Sequence, residues 1–141
     1  IPEVQGSVGN GGARVRILSG EFGGKTGPIK DPHTHVHYLD VSLDPERTFT
    51  HPIATDMNAC VYVFEGEATV EDTLLPQHTL AILGDGEGVE ITAGAKGGRF
   101  ILIAGRPLNQ PIVQYGPFVM NTREEIEQAF QDYRDGRLVR E

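Results

Sequence analysis

Short apolar runs separated by glycine and proline recur along the whole chain. Its 141 residues include 18 Gly and 9 Pro, which fall every several residues. Short runs bounded by turn-forming residues are typical of the strands of a β-sandwich or barrel. The length suits one domain, which buries enough surface to fold without a disulfide or a metal. We therefore predict a single all-β domain.

The clearest predicted strands alternate apolar and polar residues or are apolar throughout. Residues 13–17 and 37–43 alternate, whereas residues 60–64 form a continuous apolar and aromatic run. Glu65-Gly66-Glu67 is the expected turn after that run, with a returning strand behind it. Further strands are predicted at residues 79–83, at 99–104 (a near-continuous buried strand) and at 112–115.

Near the end of the chain the apolar period changes to that of a helix. Thr122 and Glu125 have the spacing of a capping box, and Gly136 is the expected stop. The apolar stripe consists of Ile126, Ala129, Phe130 and Tyr133. We expect it to dock on the flank of the β-domain or on a partner domain. The predicted division is a flexible entry segment (1–12), a β-barrel (13–120) and an amphipathic helix (121–137).

The charge of the chain limits the classes of molecule that it can bind. A formal net charge of -8 without a basic cluster argues against direct binding of nucleic acid. The sequence has neither a long apolar run for a membrane span nor a signal-peptide pattern. We expect a cytoplasmic protein, or a nuclear one if its source is eukaryotic. Because the chain begins with Ile rather than Met, we expect it to be a segment of a longer protein.

The strand that closes on Tyr62-Val63-Phe64-Glu65-Gly66-Glu67 resembles the end of the first motif of the cupin superfamily, G-x5-H-x-H-x3-4-E-x6-G. In that motif two His and one Glu hold a metal. Counting back from Gly66 places the Glu at Ala59 and the two His near Ile53 and Thr55, or one residue earlier. The strand matches the motif, but the ligands do not.

A second cupin motif, G-x5-P-x-G-x2-H-x3-N, is matched equally incompletely. Pro76-Gln77-His78 corresponds to its P-x-G, which puts the metal-binding His at Ala81 and the final Asn at Asp85. Both motifs therefore predict a cupin barrel without the ligands of a cupin metal site.

Three further stretches make the resemblance more specific. They are Tyr38-Leu39-Asp40, residues 104–115, and Gly116-Pro117-Phe118-Val119-Met120-Asn121-Thr122 before the helix opening Glu124-Glu125-Ile126. Together they resemble the C-terminal half of the pirin family, from about Val15 to Gly136.

This resemblance implies a fold and a function. Pirins are two cupin barrels in tandem, with one iron held by three His and one Glu in the N-terminal barrel and no metal in the C-terminal one. The implied fold is an all-β cupin double-stranded β-helix, a jelly-roll-like barrel, with one C-terminal α-helix. The implied partner is the N-terminal cupin domain of the same protein.

For the parent protein, the resemblance implies iron-dependent dioxygenation of a flavonol-like molecule, the quercetin 2,3-dioxygenase activity associated with bacterial pirins. An alternative is a non-enzymatic interaction module with a protein partner, like the nuclear pirins described as transcription co-regulators. The resemblance assigns no catalytic, cofactor-binding or metal-binding residue to this half.

His33, His35 and His37 are the candidates for a metal site outside the motifs. In an extended chain they share one face with alternate Cα atoms about 6 to 7 Å apart. Neutral imidazole suits Fe, Zn, Ni or Cu. They raise a third hypothesis, a self-standing metal cupin. The alternative is a partly exposed loop with solvated or hydrogen-bonded histidines.

Four other residues have less claim to a chemical role. We expect His51 and His78 to lie in a loop and a turn, because neither has a potential co-ligand next to it in the sequence. Glu65 and Glu67 could form an acid/base pair, but we expect both to point to solvent.

Overall fold

The computed structural model describes residues 1–5 and 12–139 and has the predicted all-β architecture. The strands are β1 (Glu3–Gln5), β2 (Ala13–Ser19), β3 (Glu21–Phe22), β4 (Lys25–Thr26), β5 (His37–Leu43), β6 (Thr48–Pro52), β7 (Asn58–Val70), β8 (Thr73–Leu75), β9 (Thr79–Ile82), β10 (Gly88–Gly105), β11 (Val113–Tyr115) and β12 (Phe118–Met120), and the helix is α1 (Arg123–Arg134). The chain divides into two compact units, residues 1–107 and 108–141.

Two long antiparallel strands, β7 and β10, organise the first unit. The second part of β10 lies between β5 and the first part of β7, whereas its first part lies between β6 and the second part of β7. Strand β9 extends the first part of β7, and β8 extends the second. Strands β2 and β1 continue outward from β5. The sheet thus forms two layers, a cupin-type jelly-roll sandwich with open edges.

The hydrophobic core lies between the two layers. Phe49 on β6 and Phe100 on β10 come from opposite layers, and their ring centroids are 5.8 Å apart. The predicted alternation of β5 is confirmed, since Leu39, Val41 and Leu43 are buried. Burying a side chain of this size stabilises a fold by about 1.5–3 kcal/mol. The largest fully buried side chains are Phe49, Phe100, Ile17, Leu39, Ile91, Leu102, Val15, Val41, Val61 and Val63.

The turn predicted at Glu65-Gly66-Glu67 is wrong, because β7 runs through it without reversing. Gly66 has φ +69°, and a Cβ there would lie 2.3 Å from the carbonyl oxygen of Gly97. The register between β7 and β10 shifts on both sides of Gly66. Gly66 therefore marks a bend that carries both strands from one layer to the other, and the chain reverses at Glu71-Asp72.

The continuous burial predicted for residues 99–104 is also wrong. Phe100, Leu102 and Ala104 are buried, whereas Ile101 is half-buried and Ile103 is exposed. The second part of β10 covers the core with one face only. Its other face belongs to the outside of the layer.

The start of the chain differs from the entry segment predicted for residues 1–12. Strand β1 pairs antiparallel with β2, with Glu3 opposite Arg16. The Glu3 carboxylate lies 3.4 Å from Nε of Arg14 and 3.3 Å from Nε of Arg16. Residues 6–11, the rest of that segment, lie outside the described residues.

The second unit consists of the β11–β12 hairpin and α1, so the hairpin falls outside the unit that forms the predicted barrel. The capping box is confirmed, since Thr122 accepts the N–H of Glu125 and Glu125 accepts the N–H of Thr122. Within the unit, the ring of Phe130 packs edge-on against Phe118 at 4.9 Å. Ile126 and Ala129 are buried, but Tyr133, also predicted in the stripe, is 67% exposed. No helix among the described residues is long and apolar enough to cross a bilayer.

Candidate functional site

The positions where the cupin motifs place metal ligands carry apolar or exposed side chains. Ile53 belongs to the core, and Ala59 and Ala81 pack against it. Thr55, at the remaining ligand position, is exposed. Hydrocarbon side chains offer no lone pair to a metal, and one exposed hydroxyl does not replace imidazole and carboxylate, so the residues present do not fit the iron of a cupin site.

The histidine segment is not extended. His33 lies in a turn, where the Asp31 carboxylate accepts its backbone N–H at 2.9 Å, and His35 has φ +50°. His35 and His37 line a cleft of about 450 Å³, and His33 is not among its lining residues. Among the described residues, no three His, Cys, Asp or Glu side chains are grouped to hold a metal ion. The single shared face expected of the three histidines is therefore absent.

His37 instead meets a histidine from the other layer. Its Nδ1 lies 2.8 Å from Nε2 of His51, so one of the two nitrogens carries the shared proton. His51 lies on β6 with only 4% of its surface exposed, so the loop predicted for it is wrong. Its ring packs against Phe22 and Phe49 at centroid distances of 5.7 and 6.1 Å.

The surroundings of His51 favour its neutral form. Burial, and secondarily the adjacent His37, lower the pKa of His51 from 6.5 to about 4. Burial also lowers the pKa of His37. Nδ1 of His51 has no hydrogen-bond partner among the described residues. The pair can share a proton inside the sandwich, but a charge there is strongly disfavoured.

A signal for the burial of His51 exists in the sequence. Phe49, His51 and Ile53 occupy alternate positions and are all buried, whereas Thr50 and Pro52 between them are exposed. This is the period of a strand with one face in the core. Reading it would have placed His51 inside, although not opposite His37.

The other three candidate residues do not come together in a site. His78 is an exposed turn residue, as predicted, with φ +65°. Glu65 is exposed and lies opposite Arg99 in the sheet, whereas Glu67 is half-buried and covers Gly94. The two carboxylates therefore have different neighbours.

The outer face of the layer that contains β5 exposes several large apolar side chains. Ile82 is 83% exposed, Leu80 58% and Ile103 39%. We call this surface the outer face; it also carries Tyr38, Cys60, Tyr62 and Ile101, all half-buried.

An ion pair borders the outer face. Arg99 donates to both carboxylate oxygens of Asp40, at 3.0 and 2.7 Å, and its guanidinium lies 4.9 Å from the ring centroid of Phe64. An apolar face of this kind, with a polar border, is typical of a surface that packs against another protein domain.

Comparisons with known proteins identify relatives of the chain. Residues 38–139 match the family model of the pirin C-terminal cupin domain. The chain is 44% identical over 130 residues to a pirin-like protein of Solanum lycopersicum, covering 89% of this chain and 44% of that protein. It is 37% identical over 132 residues to pirin of Homo sapiens, covering 89% of this chain and 45% of that protein.

A solved structure extends the similarity to nearly the whole chain. The crystal structure of a quercetin 2,3-dioxygenase from Acinetobacter baumannii superposes with a TM-score of 0.82 at 31% identity, covering 98% of this chain and 47% of that chain. The chain thus spans a little under half the length of each of these relatives.

Proposed function

The chain belongs to the pirin family, and from this premise we propose that it is the metal-free C-terminal cupin half of a two-barrel protein. The parent would be an iron-dependent oxidoreductase of the quercetin 2,3-dioxygenase type, acting on a flavonol-like molecule in the cytoplasm, or in the nucleus of a eukaryote. Its iron would be held by the N-terminal cupin domain. This half would contribute packing and no catalytic residue.

The observation that carries the proposal is the set of side chains at the cupin ligand positions. Three of these positions carry hydrocarbon side chains, Ile53, Ala59 and Ala81. A metal site needs imidazole and carboxylate there. A metal centre also needs side chains that orient its ligands. Among the described residues, the contact between half-buried His37 and buried His51 has no third ligand grouped with it.

The outer face is an argument for contact with a partner domain. Leu80, Ile82 and Ile103 present aliphatic side chains to solvent on one side of a sheet. Covering them would remove apolar surface from water, at about 25 cal/mol for each Å² buried. We assign this face to contact with the N-terminal cupin domain of the parent.

The test is the metal content of the purified chain after chelation and reconstitution with ferrous iron. We expect an iron-to-protein ratio near zero and no turnover of quercetin by this chain alone. A ratio near one that is lost in a His35→Ala, His37→Ala double variant would overturn the proposal in favour of a self-standing metal cupin. His78→Ala is the matched control, because His78 is an exposed histidine in a turn of another part of the chain.

The outer face also favours a second candidate, a non-enzymatic module that binds a separate protein. The two candidate functions predict different behaviour of the full-length protein. A full-length protein that binds iron but does not oxygenate quercetin, and that loses a protein partner when Ile82 becomes Glu, would favour the interaction module. Quercetin turnover that survives the same substitution would favour the oxygenase.

A further inference from the structure

The negative charge of the protein is concentrated in one stretch of the chain. Residues 48–95 contain eight Asp or Glu and no Lys or Arg, so this stretch carries a charge equal to the whole formal net charge of -8. It comprises β6 to β9 and the first part of β10. The remaining residues are balanced in formal charge. The electrostatic potential is therefore most negative around these strands, which contribute to both layers of the sandwich.

A cleft of about 460 Å³ opens within this acidic region, between β8, β9 and the first part of β10. Its floor is apolar: Leu75 and Val89 are buried, and Ala81 and Leu83 pack against the core. The volume lies within the range of about 300–1,000 Å³ that is usual for small-molecule sites.

The rim of the cleft is acidic and uncompensated. Of the residues that the structure describes, Glu71, Asp85 and Glu90 line it, and no Lys, Arg or His does. None of the three makes an ion pair or a side-chain hydrogen bond with another residue in the described part of the chain. Their charges therefore act on whatever enters the cleft.

We propose that this cleft binds a small organic cation, an amine or amidine carried on an aromatic or aliphatic body. The apolar floor would take the body, and the rim carboxylates would meet the charge. An anion would be repelled by the rim, and a neutral molecule would gain the contact with the floor alone. A bare metal ion fits less well, because the three carboxylates are not grouped as metal ligands. The inference does not rest on the function proposed above, although Ile82 of the outer face also lines the cleft.

The experiment is an amide-resonance titration of the full chain with 2-phenylethylamine. The matched probes are 2-phenylethanol, which is neutral, and 3-phenylpropionate, which is anionic. We expect the amine to shift amides of residues 70–90, to bind about tenfold or more tightly than the alcohol, and to weaken as salt is added. We expect the anion to bind most weakly.

Four outcomes would overturn the inference. They are equal binding of amine and alcohol, shifts confined to other parts of the chain, no shift at millimolar amine, and calcium chloride shifting the same amides more strongly than the amine does at equal concentration. Equal binding would leave a merely apolar groove, and the calcium result would indicate a metal site.

Two double variants test whether binding of the amine depends on the rim carboxylates or only on the overall negative charge of this region. Glu71→Gln with Asp85→Asn removes two rim charges, and Asp72→Asn with Glu87→Gln removes two exposed charges nearby that do not line the cleft. We expect the rim pair to weaken binding of the amine about tenfold and to leave binding of the alcohol unchanged. The control pair should change amine binding less than about twofold, because its charges are partly screened. Equal losses in both pairs would contradict a specific site.

Discussion

Nδ1 of His37 and Nε2 of His51 lie 2.8 Å apart and join the two layers of the sandwich across its interior. Strands β5 and β6 both pair with β10, but at opposite ends of it. They are therefore not neighbours, and this imidazole contact links them directly. Because His51 is buried among aromatic rings, the link depends on both histidines staying neutral.

The first prediction is that stability falls as the pH drops from about 6.5 to about 4. The pKa of His51 is about 4 in the folded protein, against about 6.5 in the unfolded chain. Above pH 6.5 both states are neutral and the pair is intact. Between the two values only the unfolded chain binds the proton, so unfolding is favoured, by on the order of 3 kcal/mol at the acid end. Urea unfolding at a series of pH values measures this loss.

Two variants isolate the contribution of His51 from that of the carboxylates. His51→Leu removes the group, so we expect a smaller loss of stability between pH 6.5 and 4 than in the natural chain. His33→Gln, at an exposed histidine, should keep the full loss. The interpretation fails if His51→Leu keeps the same pH dependence.

The second prediction concerns the bend at Gly66. Gly66→Ala should destabilise the chain by about 2 kcal/mol or more, because it combines a left-handed backbone with a Cβ 2.3 Å from the carbonyl oxygen of Gly97. Gly84→Ala is the control, since its φ is not left-handed and a Cβ there has no atom within 4 Å among the described residues. We expect the control to change the free energy of unfolding by less than about 0.5 kcal/mol. Equal urea midpoints for the two variants would show that the bend is not strained.

The same bend shows where the sequence is sufficient to predict the fold and where it is not. The pattern of residues 37–43 predicts β5 to the residue, and Thr122 with Glu125 predicts the start of α1, because alternation and capping are local. Gly66 between two glutamates has the local composition of a hairpin turn. Only its pairing with Gly98 on β10, which is distant in sequence, distinguishes a bend from a turn.

The candidate site, too, can be predicted from the sequence only in part. Motif spacing places Ile53, Ala59 and Ala81 where metal ligands would stand, and their apolar character is visible in the sequence. The contact of His37 with His51 depends on how two strands approach from different layers. The predicted sharing of one face by His33, His35 and His37 failed because the chain turns at residues 32–34 and His35 is left-handed.

The third prediction rests on the proposed two-barrel parent. Ile82→Glu should leave the stability of this chain within about 0.5 kcal/mol of its natural value, because Ile82 is 83% exposed. In the full-length protein the new carboxylate would be buried against the other domain without a partner, which is costly. We expect calorimetry to show one unfolding transition for the natural protein and two for the variant. Leu74→Glu is the control, an exposed leucine on β8 away from the outer face; splitting by both variants or by neither would count against this face as the contact.

The last prediction concerns the start of α1. Oγ1 of Thr122 accepts the N–H of Glu125 at 3.2 Å, and the Glu125 carboxylate accepts the N–H groups of Asn121 and Thr122 at 2.8 and 3.1 Å. Thr122→Ala removes the acceptor for a helix N–H, so we expect a loss of about 1 kcal/mol in helix stability. The loss should appear as faster amide exchange in the first turn of α1. Thr122→Ser keeps an acceptor at the same place and should restore most of the protection. Because the hydroxyl is the only feature that Ser and Thr share and Ala lacks, equally fast exchange in the Ser and Ala variants would mean that packing, and not the cap, holds the first turn.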